Sequence, residues 1–331
     1  MKKLLIIHTG GTFGMLPMEP SKTLAPADIQ KYILTYLPEI VEIAQIDFEV
    51  AFNIDSSNIQ IHHWQKLAQI ITEKYNAYDG FVIIHGTDAM VYTASALSFI
   101  LQGLSKPVIL TGSQRPLAQI RSDAHSNLIS SLELATYHIP EVSIFFERLL
   151  FRGNRTLKIS STHYDAFASP NYPPLAEVGL DITLTKNILP PGKALNYREK
   201  FDSRVFSFHF HPGLAPEYLN CILASQLKAV VIDALGAGNM SIYENSLIPW
   251  IRKMTDTGRI VVISSQSPYG RVNLDLYKSG ELAQKAGGIS CHDMTLPAAI
   301  VKLMFLLGQH PNDPQKIATL LSQPIAGEIA P

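Results

Sequence analysis

The sequence predicts an α/β fold with a larger N-terminal, mainly parallel sheet domain flanked by helices and a smaller C-terminal α/β domain. Three observations carry this expectation. Short apolar runs recur at residues 4–7, 81–84, 107–110 and 142–146. Stretches with helical spacing lie between them, and such alternation implies βαβ units and parallel strands with helices on both faces. At 331 residues the chain is also long for one domain, so two are expected.

The first run, Leu4-Leu5-Ile6-Ile7, has no amphipathic period and reads as a strand buried on both faces. Thr9-Gly10-Gly11-Thr12 follows it directly. Its two glycines let the backbone turn sharply and approach a ligand closely. Thr12 falls at the carboxyl end of the strand, where open α/β sheets hold their ligands. A phosphate cradle would need G-x-G-x-x-G opening a helix or G-x-x-x-x-G-K-[ST], and neither pattern is present. Pro17 and Pro20 oppose a continuous helix here, and without it no helix dipole faces a phosphate. The stretch reads as a hydroxyl displayed on a strand end beneath a loop.

The remaining elements follow in order. A helical pattern starts at Pro26-Ala27-Asp28 and stops before Pro38, residues 46–53 alternate as a strand, and Asp55-Ser56-Ser57-Asn58 form a polar loop. Trp64, Leu67, Ile70 and Ile71 mark one face of a helix over residues 62–75. The strand at 81–84 ends in His85-Gly86-Thr87-Asp88, and a helix follows over 90–101. The strand at 107–110 ends in Thr111-Gly112-Ser113, then come a helix over 122–137 and the strand at 142–146. Any one such turn is readily explained by turn chemistry alone. Four of them carrying hydroxyls and carboxylates favour a site.

Residues 149–160 include Arg152-Gly153-Asn154-Arg155-Thr156-Leu157-Lys158 and read as a short hairpin or bulged strand, from which Lys158 can reach a cleft or remain solvated. Proline-rich stretches at 168–174 and 189–200 place the division. The expected domains are 1–190, catalytic, and 211–331, with a linker over 191–210. Further strands are expected at 206–210, 229–232 and 260–263, with helices at 216–225, 243–256, 297–307 and 311–322. Gly236-Ala237-Gly238-Asn239 is the most distinctive loop of this half.

Composition narrows the class. A net charge of −1 offers no footprint for nucleic acid or an acidic membrane surface. The apolar stretch after Met1-Lys2-Lys3 is too short for a signal segment or a membrane span. Cys221 and Cys291 have neither metal nor redox spacing and read as small core residues of a reducing compartment, so a cytoplasmic protein is expected. His209 and His211 share a strand face but lack a third ligand, so no metal is expected. His62 and His63 read as surface residues facing opposite ways, and His85 as a packed histidine rather than a base.

Thr12 and Thr87 at two strand ends, with Asp88 and Lys158, point to nucleophilic catalysis. A hydroxyl is a poor nucleophile at neutral pH and needs a base or relay. Thr87, Asp88 and Lys158 can form one, filling the role of a Ser-His-Asp arrangement. Thr87 and Asp88 also read as caps of the helix starting near Ala89, a reading compatible with the catalytic one.

On Thr9-Gly10-Gly11-Thr12, His85-Gly86-Thr87-Asp88 and Arg155-Thr156-Leu157-Lys158, the chain resembles the bacterial L-asparaginases. The Asp55-Ser56-Ser57 loop and Thr111-Gly112-Ser113-Gln114 make it most similar to the cytoplasmic type I enzymes, and the likeness extends through Ala166-Phe167-Ala168-Ser169-Pro170-Asn171 and Pro212-Gly213. The resemblance implies that Thr12 attacks the side-chain amide of L-asparagine, forming a β-aspartyl ester that water releases. It makes Thr87 the second threonine, with Lys158 and Asp88 in its proton network. It gives Asp55, Ser56 and Ser57 the substrate's α-carboxylate and α-ammonium, with Asp88 also facing the ammonium. A zwitterion is desolvated only where both charges meet partners. Backbone N–H groups near Thr12, Thr87 and Asp88 would meet the oxyanion. No cofactor is implied. Relatives are typically tetramers built from pairs of intimate dimers, so a homodimer or homotetramer is expected, with the loop at 236–239 contributing across subunits.

Three departures stand out. Phe13 replaces the usual Ile or Val, Ala89 replaces a Thr, and residues 13–26 lack the tyrosine that relatives bring to the nucleophile. Thr23 lies near its expected position. Glutamine is an alternative substrate, since one methylene is worth only about 1–3 kcal/mol in a pocket. The related amidotransferase subunit carries an extra N-terminal domain, whereas this chain starts directly with the first strand. A non-catalytic amino-acid sensor is the reading from another class.

Overall fold

The apolar runs form strands Lys3–His8, Gly80–Ile84, Val108–Thr111 and Val142–Phe146. Every residue of the last three is buried, so no alternating pattern was available to mark a solvent face. The computed structural model of the chain describes the backbone of residues 1–16, 19–23 and 28–330, and the side chains of 1–15 and 28–330.

Two units result, Met1–Glu199 and Lys200–Pro331. In the first, an eight-stranded sheet runs in the order Ile182–Leu184, Ala176–Val178, Leu149–Arg152, Val142–Phe146, Val108–Thr111, Gly80–Ile84, Lys3–His8, Gln45–Val50. The five strands from Val142–Phe146 to Gln45–Val50 are parallel, and the other three pair antiparallel. The fold is therefore the mainly parallel α/β class expected. His8 is in register with both Ile84 and Val50. Three strands thus stop level with one another, and the segments after them begin at one edge of the sheet.

Helices Ile61–Lys74, Met90–Ile100 and Ala124–Leu134 sit close to the expected ranges. The first helix is Ile29–Tyr36; residues 26 and 27, where it was expected to start, lie outside the described residues. The expected strand at 46–53 ends at Val50, because Ala51 to Ile54 bend around the first strand's end, with Ala51 N bonded to His8 O at 3.0 Å and Ile54 N to Thr9 O at 3.1 Å. Residues 149–160 divide into a strand, a 3-10 turn Gly153–Arg155 and the short strand Leu157–Lys158. That short strand pairs with Phe167–Ala168, a partner no local pattern announced.

The second unit holds four parallel strands in the order Val205–His209, Ala229–Ala234, Ile260–Ser265, Gly288–Ser290. The fourth strand and the helix Lys278–Lys285 before it were not expected; Gly287-Gly288 hides the strand's start. The helix expected at 243–256 begins only at Ile248, after Asn245 takes a left-handed φ of 54°. The helix expected at 216–225 is a 3-10 turn Pro216–Leu219 followed by Asn220–Leu223. Cys221 on that last turn is exposed while Ile222 is buried, correcting the expectation that both cysteines are core residues; Cys291 is buried. The turn at 236–239 is closed by backbone bonds of 3.0 and 2.7 Å between Leu235 and Asn239. Lys302 and Glu328 form a fully buried ion pair at 2.6 Å, and Lys302 Nζ also donates to Leu321 O and Gln323 O. Removing one partner of such a pair costs far more than the pair contributes net. Among the described residues no helix is long and apolar enough to cross a membrane.

Candidate active site

The site is built where three strand ends interlock. Gly10 and Gly11 have φ of 106° and 83°, a region that favours glycine. A Cβ on Gly10 would meet Ile54 O at 2.3 Å, and one on Gly11 would meet Gly86 Cα at 2.6 Å. Beyond Gly86, a Cβ would reach Ser56 Oγ at 2.7 Å. The turn carrying Thr12, the loop carrying Ser56 and the turn carrying Thr87 are therefore packed backbone to backbone. Thr9 ties the first and third together, donating from N and from Oγ1 to Ile84 O at 3.0 Å each. Thr12, half-buried, opens a 3-10 turn Thr12–Gly14 whose Phe13 is buried in the core.

Lys158 arrives from the short strand Leu157–Lys158. Its Nζ donates to Thr87 Oγ1 at 2.8 Å and to Asp88 Oδ1 at 2.5 Å. The Lys158 side chain is 17% exposed and that of Asp88 68%. Residues leading to Lys158 are anchored firmly. Arg152 pairs with buried Glu141 at 2.5 Å, Tyr172 lies under both Arg152 and Arg155 at 4.3 and 5.2 Å, and Thr156 Oγ1 donates to Arg152 O at 2.7 Å.

The capping explanation for Thr87 and Asp88 does not survive. The helix Met90–Ile100 has Ala89 as its N-cap and no side-chain capping bond. The hydroxyl of Thr87 accepts from Lys158 instead. Ser56 is buried, its Oγ 3.4 Å from Ala89 N. Asp55 and Ser57 are exposed and engage each other: Asp55 Oδ1 accepts from Ser57 N at 2.8 Å and Ser57 Oγ at 2.7 Å, which holds the Asp55 carboxyl below its ordinary value. The structure thus brings Thr87, Asp88 and Lys158 into direct contact and sets Ser56 beside them, while Asp55 and Ser57 contact one another. Thr23 lies among the residues whose side chains are outside those described.

His85 fits the packed reading. Its Nδ1 is 2.7 Å from Gly86 O, and burial lowers it to about 4 against that bond, so the ring is neutral. Asp123 was overlooked in the sequence. It is buried, accepts from Gln114 N at 2.9 Å, Arg115 N at 3.1 Å and Asn127 Nδ2 at 3.2 Å, and so holds the turn after Thr111. Burial raises its carboxyl, and the backbone donors oppose this. The available signal was an acidic residue just before a helix and after a Gly-Ser-Gln turn. His62 and His63 do not face opposite ways: their rings lie 3.9 Å apart, with His63 Nδ1 accepting from Gln60 N at 3.0 Å. Among the described residues no group of three or more His, Cys, Asp or Glu is placed to hold a metal. His209 Nδ1 instead lies 2.7 Å from Asp233 Oδ2.

Comparison with known proteins is consistent along the whole chain. The family model for the asparaginase N-terminal domain matches residues 3–189, and that for the glutaminase/asparaginase C-terminal domain matches residues 204–321. L-asparaginase 1 of Escherichia coli K12 is 38% identical over 336 residues, spanning 100% of this chain and 98% of that protein. The structure of L-asparaginase I from Vibrio cholerae, 36% identical, matches with a TM-score of 0.91 over 100% of this chain and 99% of the other. A protein of Campylobacter jejuni described as a probable cytoplasmic L-asparaginase matches with a TM-score of 0.81 at 27% identity, over 98% and 100% of the two chains. With both halves matched in order, and with relatives alike over their full length, this chain belongs to the asparaginase family and is an amidohydrolase.

Proposed function

We propose that this protein hydrolyses L-asparagine to L-aspartate and ammonia. The observation that carries the reading is the ammonium of Lys158 seated between Thr87 Oγ1 and Asp88 Oδ1, at a strand end interlocked with the turn that bears Thr12. In this reading the Thr12 hydroxyl attacks the substrate's side-chain carbonyl carbon and loses its proton to the site's relay. The C–N bond then breaks, and the amide nitrogen takes up a proton and leaves as ammonia. A water positioned near Thr87 gives up a proton and attacks the β-aspartyl ester. The ester C–O bond breaks, and aspartate and the free Thr12 hydroxyl result. Lys158 and Asp88 share the proton network of Thr87, which a hydroxyl chemistry at neutral pH requires. Backbone N–H groups near Thr12, Thr87 and Asp88 meet the charge that develops on the carbonyl oxygen.

Ser56, with Asp55 and Ser57, faces the α-carboxylate and α-ammonium, and Asp88 supplies charge opposite the ammonium. No cofactor takes part. The same reading includes a cytoplasmic location, which the description of the Campylobacter jejuni relative supports, and assembly as a homodimer or homotetramer. Exposed Tyr243, Tyr269 and Tyr277 supply surface for such an assembly, and sedimentation across concentration tests it. Glutamine is the second candidate substrate, favoured by the breadth of the C-terminal family model. The test is ammonia release from L-asparagine and L-glutamine in parallel, repeated with Thr12→Ala. We expect turnover of asparagine and its loss in the variant with the fold intact. Undiminished release by Thr12→Ala overturns the nucleophile, and binding without turnover of either amide identifies an amino-acid sensor.

A further inference from the structure

We propose that Asn127 is a positioning residue that sets Lys158 against Thr87. The inference rests on the function proposed above, which places those two side chains in one proton relay. Asn127 lies in the helix Ala124–Leu134 and is 0% exposed. Asparagine is a poor helix former, and a buried helix position ordinarily takes an apolar side chain. Here the amide is bonded in three directions. Its Nδ2 donates to Gly112 O at 3.0 Å and to Asp123 Oδ2 at 3.2 Å, and its Oδ1 accepts from Glu147 N at 2.9 Å. The partners fix its orientation, since a flipped amide would turn its oxygen toward two acceptors and its NH2 toward an N–H.

Those bonds reach the supports of both members of the relay. On the Thr87 side, Gly112 packs backbone to backbone on His85, whose O would lie 2.2 Å from a Cβ at Gly112. His85 N donates to Thr111 O at 2.8 Å, and Thr87 follows two residues later. On the Lys158 side, Glu147 takes a left-handed φ of 58°, which a side chain other than glycine keeps where its surroundings hold it. Asn127 Oδ1 holds its N–H. Phe146, just before it, places its ring 4.9 Å from that of Phe167, and both are buried. Phe167 is the residue in register with Lys158 in their two-stranded sheet.

Asp123 grips the same turn again, accepting from Gln114 N at 2.9 Å and Arg115 N at 3.1 Å. Gln114 Nε2 donates to His163 O at 3.0 Å, in the loop between Lys158 and Phe167. A shift of Gly112 relative to Glu147 is therefore felt in the 2.8 Å contact of Lys158 Nζ with Thr87 Oγ1.

The test measures kcat and KM for L-asparagine in Asn127→Leu, Phe146→Leu, Lys158→Met and the double variants Asn127→Leu/Lys158→Met and Phe146→Leu/Lys158→Met. In the variants that keep Lys158, its acetylation rate with acetic anhydride is read by peptide mass spectrometry. Leucine has a branched shape similar to asparagine and makes none of the three bonds, while Phe146→Leu loosens the Lys158 side alone. The bonds of Asn127 go to none of Asp55, Ser56 or Ser57. Chemistry should therefore suffer more than affinity: kcat about tenfold lower in both single variants, with KM within about threefold. Lys158 should acetylate faster, while Lys106, whose Nζ donates to Tyr75 O and Tyr78 O in the same unit, keeps its rate. With Lys158→Met already present, either leucine substitution should lower kcat by no more than about twofold further. Unchanged kcat, a loss confined to KM, a full second loss in the double variants, or Lys106 reacting faster in step with Lys158 overturns the inference. Should Asn127→Leu not fold, Phe146→Leu and its double variant carry the comparison. Absence of turnover in the unaltered protein overturns the proposed reaction, and the contrast between Lys158 and Lys106 then decides the positioning role alone.

Discussion

A half-exposed ammonium–carboxylate contact contributes little to stability, because water and salt screen it. Lys158 and Asp88 are such a pair, with Asp88 68% exposed. The consequence of Lys158 is electrostatic and local: its charge sits 2.8 Å from Thr87 Oγ1, on a backbone braced by Arg152, Glu141 and Tyr172. Lys158→Met keeps most of the aliphatic stem and removes the charge and donors. We expect kcat on L-asparagine to fall by about 10²–10⁴-fold, the usual worth of a positioned proton-transfer group. The melting temperature should move by no more than a few degrees, as expected for losing an exposed pair. Calorimetry and ammonia release on one preparation check this, and activity retained at the wild-type level would remove Lys158 from the relay.

At the scale of elements, the site depends on glycines that let three strand-end segments meet without side chains between them. A Cβ on Gly86 would lie 2.7 Å from Ser56 Oγ and 2.8 Å from Ser56 Cβ. Ser56 is itself buried and belongs to the loop assigned to the substrate. Gly86→Ala must therefore displace that loop. The expected stability loss is about 1–3 kcal/mol, as for other overpacked sites. Since even small misplacement is costly, KM for L-asparagine should rise by about tenfold or more. Steady-state kinetics with urea unfolding will decide. Normal KM alongside lost stability would separate the loop from substrate binding.

For the molecule as a whole, buried neutral histidines set the acid limit. His8 and His85 are both lowered from 6.5 to about 4, chiefly by burial. Between those values the unfolded chain binds protons that the folded chain refuses, so stability is complete above about pH 7 and falls as pH drops. At pH 5 the two histidines together remove about 4 kcal/mol, some 2 kcal/mol each. Asp123 and Asp233 are raised by burial and act in the opposite sense, gaining stability as pH falls toward their unfolded values. Urea unfolding at pH 7 and pH 5 should show the net loss, and His8→Gln should reduce it. Equal stability at the two values would refute this account. What the sequence by itself determined was the class of the fold and the polar strand ends, since apolar runs, helical spacing and turn residues are local patterns that hold wherever the chain lies. Thr12, Thr87, Asp88 and Lys158 could be singled out for the same reason, as hydroxyls and charges at such ends. Only the tertiary structure decided which of them meet. Lys158 reaches Thr87 across 71 residues and Asp88 across 70, and Asp123 folds back onto Gln114. It also decided that Thr87 does not cap a helix, that Cys221 is exposed, and that Gly288–Ser290 joins a sheet. Each of these depends on contacts between segments remote in the chain, and the residues within any one segment carry no record of that partner.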